Sequence, residues 1–376
     1  MPRNQHIDPE QEAAKFRERL IEAFASFARD LPWRQERSPY RVWISEIILQ
    51  QTTVQTGIPY FERFMESFPD VETLAAAAED DVLKVWEGLG YYSRARNLHK
   101  CAQWLVIHAG GELPSDPDEL EKLPGIGPYS AAAIASLAYG IPRAAIDGNV
   151  HRLYSRLFAE NYAIEKVRER RRLQERLDRL IDPDRPGVFN EASIEMGALI
   201  CRPENPLCES CPLSDFCRAY QEGRIAEFPA KKTRQKPREE DFTVLIVEDQ
   251  KGRLYLEQGE ERLLKGLYHF PKIAESLSLD EVRALFPPGS IQSLRELGER
   301  RHQFTHLIWH LKAIHIVLNT SEWILDPSAL QLADGEAKAA QLTVLKAEAY
   351  EREDVRDLAL PAYLFQWREQ LLDSDR

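Results

Sequence analysis

Residues 123–150, LPGIGPYSAAAIASLAYGIPRAAIDGNV, constrain the fold more than any other stretch of this chain. Pro124, Gly125, Gly127 and Pro128 punctuate a tight turn into a helix, and Gly140 followed by Ile141 and Pro142 ends that helix. Small residues between Ser130 and Tyr139 allow close packing. Such a turn leaves backbone N–H groups pointing outward at a helix start, where they hold a phosphate without a basic side chain. Gly125 and Gly127 are thus candidate backbone contacts to nucleic acid. Asp147 opens the next helix and reads equally as an N-cap or as a carboxylate placed for chemistry.

The charge balance makes local contacts necessary. The net charge is -12, and residues 1–228 and 241–376 each carry more Asp and Glu than Lys and Arg, which excludes binding through a generally basic surface. The hairpin amides, Arg94, Arg96 and the lysines of residues 229–240 are expected to form a local positive path. A chain of 376 residues, 43% hydrophobic, is expected to hold about two domains. The first residues lack a secretory core and no apolar run approaches bilayer length, so a cytoplasmic protein without membrane contact is expected.

Helical periodicity dominates residues 12–200. The run YRVWISEIILQQTT is apolar around most of its circumference, yet carries Glu46. A buried carboxylate is costly without a partner or a chemical use. A structural ion pair and a catalytic acid are both open readings. The loop GLGYYSR carries Leu89 and Tyr91 between glycines, where aromatics either wedge between bases or cap a core. RERRRLQERLDR reads as a solvated face with intrahelical ion pairs rather than as a DNA patch.

Cys201, Cys208, Cys211 and Cys217 follow an apolar helix with the spacing Cys-x6-Cys-x2-Cys-x5-Cys. Four thiols in one loop of a reducing compartment point to a metal centre. Only one Cys-x2-Cys knuckle is present, which favours an iron-sulfur cluster over a zinc ribbon. Protein ligands at all four positions favour a structural role, with a redox role left open.

Residues 229–240, PAKKTRQKPREE, read as a linker. Beyond it, alternation of period two appears at 242–247, 253–257 and 307–318, with helices at 278–285 and 363–372. The expected organisation is α+β and multidomain: a helical domain over 1–228, the linker, and an α+β domain over 241–376.

SEIILQQT, GLGYYSR, LPGIGPYSAAAI, IDGNVHR, FNEASIEMGALIC and the cysteine loop together resemble the MutY-type adenine DNA glycosylases of the helix-hairpin-helix endonuclease III superfamily. The resemblance implies an all-α glycosylase domain with a 4Fe-4S cluster, followed by a Nudix-like domain. It implies an enzyme that removes adenine mispaired with 8-oxoguanine from double-stranded DNA, as a monomer. By the same resemblance Glu46 is the acid that protonates adenine N7, and Asp147 stabilises the oxocarbenium-like sugar. Tyr129 and Asn149 line that pocket, Arg34 and Glu191 lie near the flipped adenine, Gln51, Leu89 and Tyr91 fill or wedge the duplex, and Thr52 is a further substrate or DNA contact.

Two carboxyl groups in opposite protonation states suit N-glycosidic cleavage, so Glu46 is expected to keep its proton and Asp147 to stay ionised. Bifunctional relatives carry a Schiff-base lysine where Tyr129 stands, so this chain is expected to leave an abasic site without cutting the strand. In the second domain, the loop Gln303, Phe304, Thr305, His306 departs from the Phe-Ser-His of the family. Thr305 keeps the hydroxyl that contacts the oxidised purine and adds a methyl group. RELGE at 295–299 is only a fragment of the Nudix metal box, so no nucleotide hydrolysis is expected. The competing readings are a thymine, uracil or oxidised-pyrimidine glycosylase of the same fold, and a non-catalytic iron-sulfur protein that binds damaged DNA.

Overall fold

The computed structural model describes residues 7–230, 236–260, 263–323 and 347–372. The chain divides into two compact units: residues 1–77 with 93–233, and residues 78–92 with 234–376. Residues 231–235 of the expected linker, with Lys231 and Lys232, lie outside the described residues.

The first unit is helical: α1 (Ala13–Phe27), α2 (Pro32–Gln35), α3 (Pro39–Leu49), α4 (Val54–Ser67) and α5 (Val71–Ala76) precede the interrupting segment, which carries α6 (Glu79–Val85). It resumes with α7 (Ser93–Ala109), α8 (Pro117–Leu120), α9 (Pro128–Tyr139), α10 (Gly148–Phe158), α11 (Val167–Leu180), α12 (Pro186–Glu195) and α13 (Arg218–Gln221). Local chemistry sets these limits. Ser38 caps α3 by accepting from the Arg41 amide, with Pro39 in the first turn. Pro128 starts α9, and Gly140 ends it in the left-handed conformation.

The small residues of α9 permit helix contacts that larger side chains would forbid. A Cβ at Gly187 of α12 would sit 3.0 Å from the Ser136 carbonyl oxygen of α9. Buried Asn190 locks this pairing: its amide donates to Ser136 Oγ (2.7 Å) and the Arg143 carbonyl (2.9 Å), and its oxygen accepts from the Ala145 amide (3.0 Å). The segment leading to Asp147 is thereby fixed. In α11, the pairs Arg171–Glu175 and Arg172–Glu169 are the intrahelical pairs expected, and Arg176 adds Glu10 and Glu160 from outside the helix.

The second unit is built on a mixed sheet of β1 (Arg238–Glu248), β2 (Leu254–Gln258), β3 (Tyr268–His269), β4 (Lys272–Ile273), β5 (Ile291–Gln303), β6 (Leu307–Leu318) and β7 (Glu348–Tyr350). Its main order is β3-β2-β1-β6-β5, with β1 and β6 parallel from Arg238↔Leu307 to Glu248↔Val317. Helix α14 (Leu279–Ala284) contributes Val282 to an apolar cluster with Leu245 and Ile314. Short α15 (Arg352–Val355) and α16 (Phe365–Leu372) pack Val355 and Trp367 with Val244, Ile246 and Trp309. The sequence pattern does not predict strand β5; two irregularities against β6 break its period of two.

Residues 78–92 join this unit through specific bonds. Lys84 Nζ donates to the Arg356 and Leu358 carbonyls, Glu87 accepts from the Leu360 amide and from Arg368, and the Tyr92 hydroxyl donates to the Leu360 carbonyl.

Candidate functional site

A cavity of about 330 Å³ opens in the first unit, bounded by α2, α3, α9, the start of α10, and α12. Glu46, Tyr129, Asp147, Asn149, Arg34 and Glu191 all line it, and so does Thr52. Residues scattered over the sequence from 34 to 191 thus meet at one surface.

Glu46 projects from the middle of α3 and is 7% exposed. Burial pushes its carboxyl up to about 7, opposed by a hydrogen bond from Tyr129 and reinforced by the charges of Asp147 and Glu191. One carboxyl oxygen, Oε2, has no hydrogen-bond partner. The carboxyl therefore keeps its proton to far higher pH than an exposed glutamate and stands beside a cavity, with one oxygen left to interact with whatever enters.

Asp147 is a helix cap that also lines the cavity. It caps α10, with Oδ1 accepting from the Val150 amide (2.7 Å) and Oδ2 from Asn149 Nδ2 (2.7 Å). Burial outweighs these two donors and the Arg152 charge and leaves its carboxyl above the usual aspartate value, against the direction expected for a group chosen to stay ionised. Asn149 is itself held by Arg152, whose Nη2 donates to Asn149 Oδ1 (2.9 Å) and the Gly197 carbonyl (2.7 Å). Gly197 lies in a π-helical turn, Met196–Ile200, and presses on α10 so closely that a Cβ there would stand 2.7 Å from the Asn149 carbonyl oxygen.

One wall of the cavity is an ion-pair network. Glu191 accepts from Arg34 Nε (2.8 Å) and Arg37 Nη2 (2.7 Å); Glu195 accepts from Arg29 Nε (2.9 Å) and Arg34 Nη2 (3.0 Å). Arg29, Arg37 and Glu195 are not among the site residues expected from the sequence. The signal exists: Glu191 and Glu195, one turn apart on an apolar helix, need cations, and Arg29, Arg34 and Arg37 stand close together near the start of the chain.

The four cysteines line a second, apolar cavity with Leu153, Leu157 and Leu213. Burial, reinforced by the neighbouring cysteines, pushes Cys211 and Cys217 up to about 12, so without a bound cation these side chains stay neutral thiols. Among the described residues no three His, Cys, Asp or Glu side chains stand close enough to share a single metal ion. Arg156 Nη1 donates to Cys201 Sγ (3.3 Å). A ring of cysteines around an apolar hollow, with a guanidinium on one sulfur, fits a thiolate-held group larger than one ion.

Other expected contacts lie outside the first cavity. A Cβ at Gly125 would meet Asn97 Cβ at 2.6 Å, and its φ is +79°, so the hairpin requires glycine there; around Gly127 the space is open. Gln51 is exposed with φ +61° and Tyr91 is exposed with φ +48°, both strained conformations for these residues. Leu89, by contrast, is buried. In the second unit, Phe304 packs edge-on against Trp309 and His302, leaving Thr305 and His306 exposed, and the Tyr91 and Thr305 hydroxyls bond at 2.7 Å. Two expectations fail. Arg94 and Arg96 are buried and supply no positive surface: Arg94 Nη1 donates to the carbonyls of Ile47, Ile48 and Gln50, satisfying the end of α3.

Residues 44–179 match the family model of the HhH-GPD superfamily base excision DNA repair protein. The helical unit and its cavity therefore define a helix-hairpin-helix base-excision DNA glycosylase. An adenine DNA glycosylase from Mus musculus is 35% identical over 353 residues, covering 78% of this chain and 68% of that protein. One from Buchnera aphidicola subsp. Schizaphis graminum is 35% identical over 299 residues, covering 78% of this chain and 84% of that protein. The chain belongs to the adenine DNA glycosylase family, whose members are N-glycosyl hydrolases of DNA. Among solved structures, a thermostable thymine-DNA glycosylase superposes with a TM-score of 0.53 at 28% identity, covering 57% of this chain and 100% of that one.

Proposed function

We propose that this chain excises adenine paired with 8-oxoguanine, or with guanine, from double-stranded DNA, acting as a monomer and leaving an abasic site with the strand intact. The observation that carries the chemistry is the buried Glu46, its carboxyl pushed up to about 7, facing the same cavity as Asp147. Glu46 donates its proton to N7 of a flipped adenine, converting a poor leaving group into a neutral base. Asp147, its oxygens oriented by Val150 and Asn149, faces the positive charge that develops on the sugar. Arg34 and Glu191 border the adenine, and Tyr129 orients the Glu46 carboxyl. No lysine is among the described residues lining the cavity, which supports hydrolysis without a Schiff base.

Thr305 presents its hydroxyl to the partner base and Tyr91, bonded to it, wedges the duplex, on a Nudix-like domain for which a mixed sheet with helices is the expected frame. Cys201, Cys208, Cys211 and Cys217 hold a 4Fe-4S cluster, which supplies a rigid knot that shapes the loop and offers no open coordination position. A single-turnover assay on duplexes with 8-oxoguanine:A, G:A, G:T, G:U and thymine glycol tests this reading. Adenine release from the first two is expected, without covalent trapping by borohydride. Release of adenine from neither duplex would refute the activity, and efficient trapping would refute the monofunctional mechanism.

A further inference from the structure

Arg156 is 4% exposed, and its guanidinium has no carboxylate partner among the described residues. Its donors go to the carbonyls of Arg202 (2.8 Å), Pro203 (3.2 Å), Phe228 (2.9 Å) and Cys201 (3.5 Å), and to Cys201 Sγ (3.3 Å). Arg34 and Arg176 of the same unit, by contrast, meet carboxylates: Arg34 those of Glu191 and Glu195, Arg176 those of Glu10 and Glu160. A buried cation left without an anion is heavily penalised, and carbonyl dipoles offset only part of that. Arg152, one turn earlier on α10, likewise donates to the Cys201 carbonyl (2.7 Å).

We infer that Arg156 is the internal counter-ion of the cysteine-held cluster and the positioning residue that retains it, bonded to the first ligand, Cys201. This inference rests on reading the four cysteines as a cluster site. Four thiolates around a 4Fe-4S core of charge 2+ leave a dianion, which is the missing partner of the guanidinium. The N–H···S bond and the adjacent positive charge stabilise the electron-rich cluster, so they raise its reduction potential and slow its oxidative loss. The carbonyl contacts hold residues 201–203 and Phe228 around the same group.

The test compares the full-length protein with Arg156→Met and Arg156→Lys. Iron and sulfide content of the unsubstituted protein comes first; their absence overturns the cluster reading and this inference with it. With the cluster present, Arg156→Met is expected to lose its visible absorbance to air or chelator about 10- to 100-fold faster and to show a more negative potential by film voltammetry. Arg156→Lys, which keeps the charge but cannot span the carbonyls, is expected to recover the potential and only part of the retention. A Met variant with unchanged potential and bleaching rate overturns the counter-ion role while leaving the cluster standing. If the Met variant does not fold, Arg156→Gln replaces it, and a Gln variant indistinguishable from Arg156→Lys in potential overturns the counter-ion role in the same way.

Discussion

Glu46→Gln separates what the buried acid costs the fold from what it does. In the folded chain the carboxyl releases its proton at about 7, against 4.5 for an unperturbed glutamate. A carboxyl whose folded pKa is raised works against stability as pH rises. Below about 4.5 both states are protonated and there is no penalty; between 4.5 and 7 the unfolded chain ionises first and the folded state loses ground; above 7 the loss is constant. At roughly 1.4 kcal/mol for each pH unit between the two values, the full penalty is about 3 kcal/mol. Glutamine has no proton to release and nearly the same shape, so the variant escapes this penalty. Urea denaturation of both proteins at several pH values, followed by tryptophan fluorescence, should show the stability of Glu46→Gln gaining on the parent by about 3 kcal/mol from about pH 4.5 to about pH 8. Adenine excision by the variant should fall to background. A stability difference that stays constant across this range would refute the raised pKa, and with it the protonated acid.

Two further variants probe the surroundings of the same acid. Tyr129→Phe removes the hydrogen bond that favours ionised Glu46, so the alkaline limb of the single-turnover pH profile should move above its parent position near 7, and an unmoved limb would place the proton elsewhere. Gly197→Ala drives a methyl group into the Asn149 backbone, and should lower the excision rate constant about 10- to 100-fold with little change in DNA affinity, because Asp147 is displaced while the hairpin is not.

Much of the site is legible in the sequence because its signals are local. A carboxylate inside an apolar helix, a Gly-Pro hairpin and four spaced cysteines each violate the expectations of an ordinary core, and the structure gathers Glu46, Tyr129 and Asp147 at one cavity. What stays hidden depends on tertiary neighbours. Arg94 looks like a surface cation beside an aromatic loop, but its guanidinium closes the end of α3, more than forty residues away in sequence. The tight fit of Gly197 exists only against α10, and a π-helical turn has no period that a helical pattern reveals. Strand β5 escapes because its bulges replace alternation with a burial pattern closer to period three. The grouping of residues 78–92 with the second unit rests on bonds from Lys84, Glu87 and Tyr92 to residues 356–368, separations at which sequence patterns carry no information.

The cap of α10 has a consequence for catalysis that goes beyond holding a helix together. Both oxygens of Asp147 are fixed by donors that belong to its own turn, so the carboxylate cannot swing when charge appears nearby. In water, a cation forming on a sugar must wait for solvent dipoles to turn toward it; in the mechanism proposed above, the responding group is a carboxyl already aimed before any substrate arrives. Reorganisation is complete when the helix forms. Asp147→Asn would keep the cap, since asparagine serves that position as well, and would leave the oriented frame without the charge it was built to aim.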